Sequence, residues 1–223
     1  MTTDPALLRL LQLSSPALPV GAYAYSQGLE TAVERGWVSD PASTADWLQG
    51  LLEENLVQLD LPALARLLQA WSRDDRATVA CWNHWLGACR ETAELRAEDH
   101  HLGAALARLL TALGLQEARD WQRGPTCFAT SFALAAVRWH IPLEQAALGY
   151  LWTWAEAQAG AAAKLVPLGQ TQLQRLLSRL QPDLVAAAQR GLALDDQDLG
   201  ASAPGLALGS CLHEIQYCRL FRS

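Results

Sequence analysis

Leu102-Gly-Ala-Ala-Leu-Ala-Arg-Leu-Leu-Thr-Ala-Leu113 places leucine at 102, 106, 109, 110 and 113. Steps of three and four put these side chains on one face of a helix, whereas a strand would need alternation. The pattern returns at Trp47, Leu48, Leu51, Leu52 and Leu56, and again at Leu173, Leu176, Leu177 and Leu180. Runs of strand type are scarce, and Ala and Leu, both strong helix formers, dominate. The chain is therefore expected to be all-α, with about eight to ten helices joined by short links.

Start and stop signals divide these runs. Asp40-Pro41 reads as an N-cap followed by proline at the first helical position. Ser72 with Asp75 resembles a capping box, with Asp in the acidic place. Pro142 and Pro182 stand where helices are expected to begin, and Gly36, Gly114 and Gly191 where they are expected to end. No linker rich in Gly, Ser or Pro splits the interior, and no internal repeat is visible. Residues 1–199 are thus expected to form a single compact helical domain. Residues 200–223 are expected to be a linker, slack from Gly200 to Gly209, and a flexible, loosely attached C-terminal tail.

Composition limits the function. Hydrophobic residues make up 51% of the 223 and charged residues only 18%, so a large core is available and some surface is expected to be covered by partners. Nine tryptophans fit either helix seams or contact surfaces. The net charge of −6 argues against nucleic acid as a partner. Five cysteines (Cys81, Cys89, Cys127, Cys211, Cys218), with no Cys-x-x-Cys pair, suit a reducing cytoplasm. The start Met-Thr-Thr-Asp-Pro lacks the basic opening of a signal peptide. The uncharged run Gly124 to Val137 is shorter than the roughly 20 residues that span a bilayer, so no membrane association is expected.

Three irregular features stand out. Ser14 to Gly28 carries Pro16, Pro19 and Gly21 with Tyr23 and Tyr25, a stiff aromatic loop suited either to recognition or to a structural corner. Ala155 to Gly169 contains a strip of small residues, Ala157 and Ala159 to Ala163, that suits close helix packing inside the domain or against a second subunit. Lys164, the only lysine against 16 arginines, follows that strip. The end, His213 to Ser223, combines Ile215, Tyr217, Leu220 and Phe221 with Arg219 and Arg222. Apolar groups of that size need a cover, supplied by the body or by a partner.

A catalytic kit is not evident. The chain has no GxxxxGK[ST] loop, no GxGxxG and no HExxH. Glu94, Glu98 and His101 share a helical face, near Asp99 and His100. They read as a solvated, ion-paired surface with Arg90 and Arg96, or as a weak divalent-metal site. Cys211 and His213 are weak candidate ligands for nickel or zinc, two short of a site unless a symmetric dimer supplies the rest. Residues alone favour a binding or scaffold role, with no stably bound cofactor, over an enzyme.

Several separated motifs, in order, resemble the urease accessory protein family UreF. They are SSPALPVGAYAYSQGLE from Ser14 to Glu30, Glu34-Arg-Gly-Trp-Val38, and Glu91-Thr-Ala-Glu-Leu-Arg-Ala-Glu-Asp99. Ile141-Pro-Leu143, Tyr150-Leu-Trp152, Lys164-Leu-Val-Pro-Leu-Gly-Gln-Thr171 and the tail complete the set. The resemblance implies a non-enzymatic, homodimeric nickel-insertion chaperone that joins UreD (UreH) and the GTPase UreG on apo-urease, with nickel handled by the complex. It implies partner-binding roles for Tyr23, Tyr25, Glu30, Lys164, Tyr217, Arg219, Leu220, Phe221 and Arg222. The tail would dock on UreD and the Lys164 region would face UreG. The chaperone would gate GTP hydrolysis by UreG or, alternatively, activate it. A generic helical metal- or ligand-binding protein is a further alternative.

Overall fold

In the computed structural model, which describes residues 5–200 and 202–223, the chain folds around one helix that is buried on every side. This is α7 (Phe128–Arg138), whose residues Phe128 to Ala136 are all buried. Its near-absence of polar side chains explains the uncharged run in the sequence, because a helix apolar all round belongs inside. Around it stand α4 (Leu61–Ser72), α5 (Arg76–Ala88), α6 (Ala93–Ala112) and α8 (Leu143–Leu165). α6 carries the leucine face quoted above, with Leu106 and Leu110 buried. It approaches the segment leading into α7 closely at Gly103, where a Cβ would lie 2.0 Å from the Thr126 carbonyl oxygen. The Ser131 hydroxyl, on α7, donates to the Gly103 carbonyl oxygen across this contact at 2.9 Å.

The remaining helices are α1 (Pro5–Leu13), α2 (Leu29–Glu34), α3 (Pro41–Leu51), α9 (Gln170–Ala193) and α10 (Pro204–His213). The described residues thus form one all-α domain of ten α-helices, as the periodicity predicts. The start Met1 to Asp4, read above for a signal peptide, lies outside the described residues. No described helix is long and apolar enough to cross a membrane. Of the nine tryptophans, Trp71 and Trp154 are buried, six more pack partly buried against the core, and Trp37 is 41% exposed. They are mainly seam fillers.

Local signals succeed where they act locally. Asp40 caps α3 by accepting from the Ala42 and Ser43 amides, both at 2.9 Å. Gly36 and Gly114 follow α2 and α6 with φ of 73° and 100°, the left-handed region that glycine enters freely. Three expectations are corrected. Asp75, not Ser72, caps α5, because its own carboxylate accepts from the Thr78 amide. Pro182 lies inside α9 and Gly191 near its end but still helical. Leu177, Leu180 and Leu184 are buried on both sides of the proline, so packing holds α9 through it. Gly191 is small because Leu61 presses on it, with a Cβ there only 2.7 Å from that of Leu61.

Between α3 and α4 the helix continues as a π-helical stretch, Leu52–Asp60. Pro62 has no N–H to return to the Gln58 carbonyl. That carbonyl accepts instead from the Gly200 amide at 3.4 Å, and the Leu61 amide reaches back to Leu56. The widened turn carries Asp60 inward. The segment read as slack, Gly200 to Gly209, is also corrected, since it is helical from Pro204 onward.

Candidate functional site

The C-terminal residues close over a cradle built by α2, α6 and α8. α2 begins after Gln27 and Gly28, both with positive φ, and its start lies against α10. Gly209 makes that crossing close, with a Cβ there 3.2 Å from the Gly28 carbonyl oxygen. The buried Ser210 hydroxyl pairs with that of Thr92 at 2.7 Å, tying α10 to the head of α6.

Glu30, in the first turn of α2, is buried and holds the tail. Its carboxylate accepts from the amides of Leu220 at 2.6 Å and Phe221 at 2.9 Å. The Gln216 amide reaches it at 3.5 Å, and His213 Nε2 faces it at 3.2 Å. A buried carboxylate is costly unless donors surround it, and here the donors come from the tail. His213 is fully buried, with its Nδ1 2.7 Å from Glu94, which also accepts from Arg219 at 2.8 Å. Both ring nitrogens of His213 therefore face carboxylates, while Cys211 is exposed. Among the described residues no three His, Cys, Asp or Glu side chains are arranged to hold a metal ion.

Phe221 is buried in a small apolar cluster with Leu29, Ala32, Val38, Ala161, Ala162 and Val166. The small-residue strip of α8 thus makes room for a ring of the chain's own tail. Lys164 Nζ lies 5.1 Å from the Phe221 ring and donates to the Tyr23 carbonyl at 3.4 Å. The last residues run beside the proline-rich loop. The Arg222 amide donates to Ala24 at 2.9 Å, and the Ser223 carbonyl accepts from the Ser26 amide at 2.8 Å and hydroxyl at 2.5 Å. The Ser223 hydroxyl donates to Glu98 at 2.6 Å.

The nine residues implicated from sequence gather around this one seat and divide in two. Tyr25, Glu30 and Phe221 are buried, with the Tyr25 hydroxyl 3.1 Å from His101 Nδ1. Tyr23, Lys164, Tyr217, Arg219, Leu220 and Arg222 are exposed, Tyr217 fully so. The sequence reading missed Glu94 and Glu98 as parts of the seat. Their shared face was visible, but it read as solvated, and Glu98 and Asp99 are in fact buried.

Behind the seat lies a cavity of about 90 Å³, lined in part by Tyr25, Gln27, Glu98, Trp154 and Gln158. On its wall Arg90 pairs with Asp60 at 2.7 Å and Asp99 at 2.8 Å, and the Tyr150 hydroxyl donates to Asp60 at 2.7 Å. Burial and the Asp60 charge hold that hydroxyl protonated well above the usual tyrosine range. Burial also pushes the thiols of Cys89 and Cys127 up, so neither is an activated thiolate. Glu98 is pushed up to about 7, chiefly by burial, while the bonds from Ser223 and Gln27 oppose the shift.

Exposed aromatic and basic side chains thus lie together on and beside a braced tail. Residues 38–181 match the family model UreF. The chain is 56% identical over 224 residues to the urease accessory protein UreF of Alkalilimnicola ehrlichii, covering 99% of this chain and 98% of that one. It is 52% identical to that of Marinobacter nauticus, covering 99% and 95%, and 50% identical to that of Chromohalobacter salexigens over the full length of both. The chain belongs to the UreF family of urease accessory proteins.

Proposed function

We propose that this chain is a non-enzymatic, cytoplasmic scaffold of urease maturation that docks UreD through its seated tail and UreG through the adjoining Lys164 and Tyr23 face. In this reading it gates GTP hydrolysis by UreG while the complex delivers nickel to apo-urease, and it acts as a homodimer. The observation that carries the reading is the exposure of Tyr23, Lys164, Tyr217, Arg219, Leu220 and Arg222 around a tail whose backbone is fixed from beneath by Glu30. A pre-ordered segment loses less entropy on binding than a free one. The apolar outer face of α1, with Leu7, Leu8 and Leu11 exposed, supports the homodimer.

The test must spare the fold. Removing Gly209 to Ser223 would also empty the Phe221 cluster, so point substitutions are better. The double variant Tyr217→Ala/Leu220→Ala changes side chains that face solvent. It is expected to lose capture of UreD in a pull-down while keeping the wild-type circular dichroism spectrum. Unchanged capture would remove the tail from the interface. The exposed Arg222 keeps the alternative of GTPase activation in play, since an inserted arginine raises hydrolysis by about 10³ or more. Turnover by nickel-loaded UreG with the protein added separates the two. Acceleration on that scale favours activation, and slowing favours gating.

A further inference from the structure

We propose that Glu98 is a proton-controlled seat for Ser223, so that rising pH loosens the end of the tail from the body. Glu98 is only 4% exposed and Ser223 is fully buried against it. Two neutral groups reach its carboxyl, the Ser223 hydroxyl at 2.6 Å and the Gln27 amide at 2.8 Å. Gln27 is itself held by the Trp154 indole N–H at 2.9 Å.

No described cation pairs with it. Arg90, on the same cavity wall, is already shared between Asp60 and Asp99. Asp99, Asp60 and the α-carboxylate of Ser223, which Ser26 holds, add charge of the same sign as Glu98. From α8, Lys164 reaches the Phe221 ring and Tyr23, and from the tail Arg219 is taken by Glu94. His101, further along α6, meets Tyr25. His213, at the other end of the seat, faces Glu30 and Glu94.

An ionised carboxylate buried without a cation costs more than two neutral donors return, so the seated acid keeps its proton up to about pH 7. The Ser223 hydroxyl suits both forms, donating to the carboxylate or accepting from the acid. When Ser223 leaves, water reaches Glu98 and its affinity for the proton falls toward the ordinary range, near 4.5. Between these limits the seated state holds a proton that the released state has lost. The contribution of Glu98 to seating is therefore largest below the lower limit, weakens as pH rises through about 7, and levels off above it. From pH 6 to pH 8 the seating equilibrium falls by about tenfold. The consequence for docking rests on the partner-binding reading of the tail, whereas the switch itself does not.

The test is hydrogen exchange on the isolated full chain, following the Leu220 and Phe221 amides and correcting for the intrinsic pH dependence of exchange. Wild-type protection is expected to be about tenfold lower at pH 8 than at pH 6. Glu98→Gln, neutral at both values, is expected to show no such change. Equal wild-type protection at the two pH values overturns the proposal, as does a pH dependence that survives in Glu98→Gln. If that variant does not fold, a carbon-detected NMR titration of wild-type Glu98 decides, with a midpoint near 7 expected and one in the ordinary carboxylate range overturning it. Because no partner is present, a failed pull-down and a failed switch are separate results.

Discussion

Glu30 shows how one side chain sets the shape of a surface without being part of it. Its two oxygens take the Leu220 and Phe221 amides, so the backbone of the tail is fixed while Tyr217 and Leu220 point outward. Glu30→Ala would strip the acceptor from two amides and leave His213 facing Glu94 alone. Each unsatisfied buried group costs about 1–3 kcal/mol, but release of the tail into water limits the global loss. The expected outcome is loss of amide protection at Leu220 and Phe221 with only a modest fall in the urea midpoint. Protection unchanged from wild type would mean that Phe221 burial alone seats the tail. The position of Glu30 in a motif was visible in the sequence, but its partners were not. They lie 183 to 191 residues away, and helical spacing reaches only a few positions along the chain. For the same reason Glu98 read as solvated, since nothing near it in sequence announces Ser223.

At the scale of elements, periodicity and capping revealed most helices because both act within one or two turns. Asp40-Pro41 is a clear case. The failures at Pro182 and Gly191 arise where a neighbouring helix outweighs the local preference. This contrast gives a prediction of opposite signs for one substitution type. Gly160, in α8, has open space where a Cβ would go, and Gly160→Ala is expected to stabilise by about 0.5–1 kcal/mol. Gly191→Ala would put its Cβ 2.7 Å from that of Leu61 and 3.1 Å from the Val57 carbonyl oxygen. The clash outweighs the gain in helix propensity, and a net loss of about 1–3 kcal/mol is expected. Denaturant unfolding of the two variants checks both signs. A stabilised Gly191→Ala would show that α9 is free to move away from α4.

For the whole molecule, the outstanding surface is the outer face of α1. Leu10 and Leu13 turn inward, and Gly149 of α8 is kept small by Leu10, whose Cδ1 lies 2.4 Å from where a Cβ would stand. Leu7, Leu8 and Leu11 are left at 49%, 64% and 60% exposure on the other side. Leu143 and Leu148, at the start of the helix on which α1 rests, are also partly open. A cluster of leucines facing water is unusual for a monomer and common at an interface between copies. Its only charged neighbour within α1, Arg9, lies over the Trp139 ring at 4.8 Å. Two copies can therefore meet here without burying an unpaired charge from this helix. Leu8→Glu would place one on each side of the contact, and a pair of buried like charges opposes association by several kcal/mol. Light scattering after size exclusion is expected to show a wild-type dimer and a Leu8→Glu monomer with unchanged helicity. A variant that remains dimeric would move the interface elsewhere, and a monomeric wild type would remove the dimer.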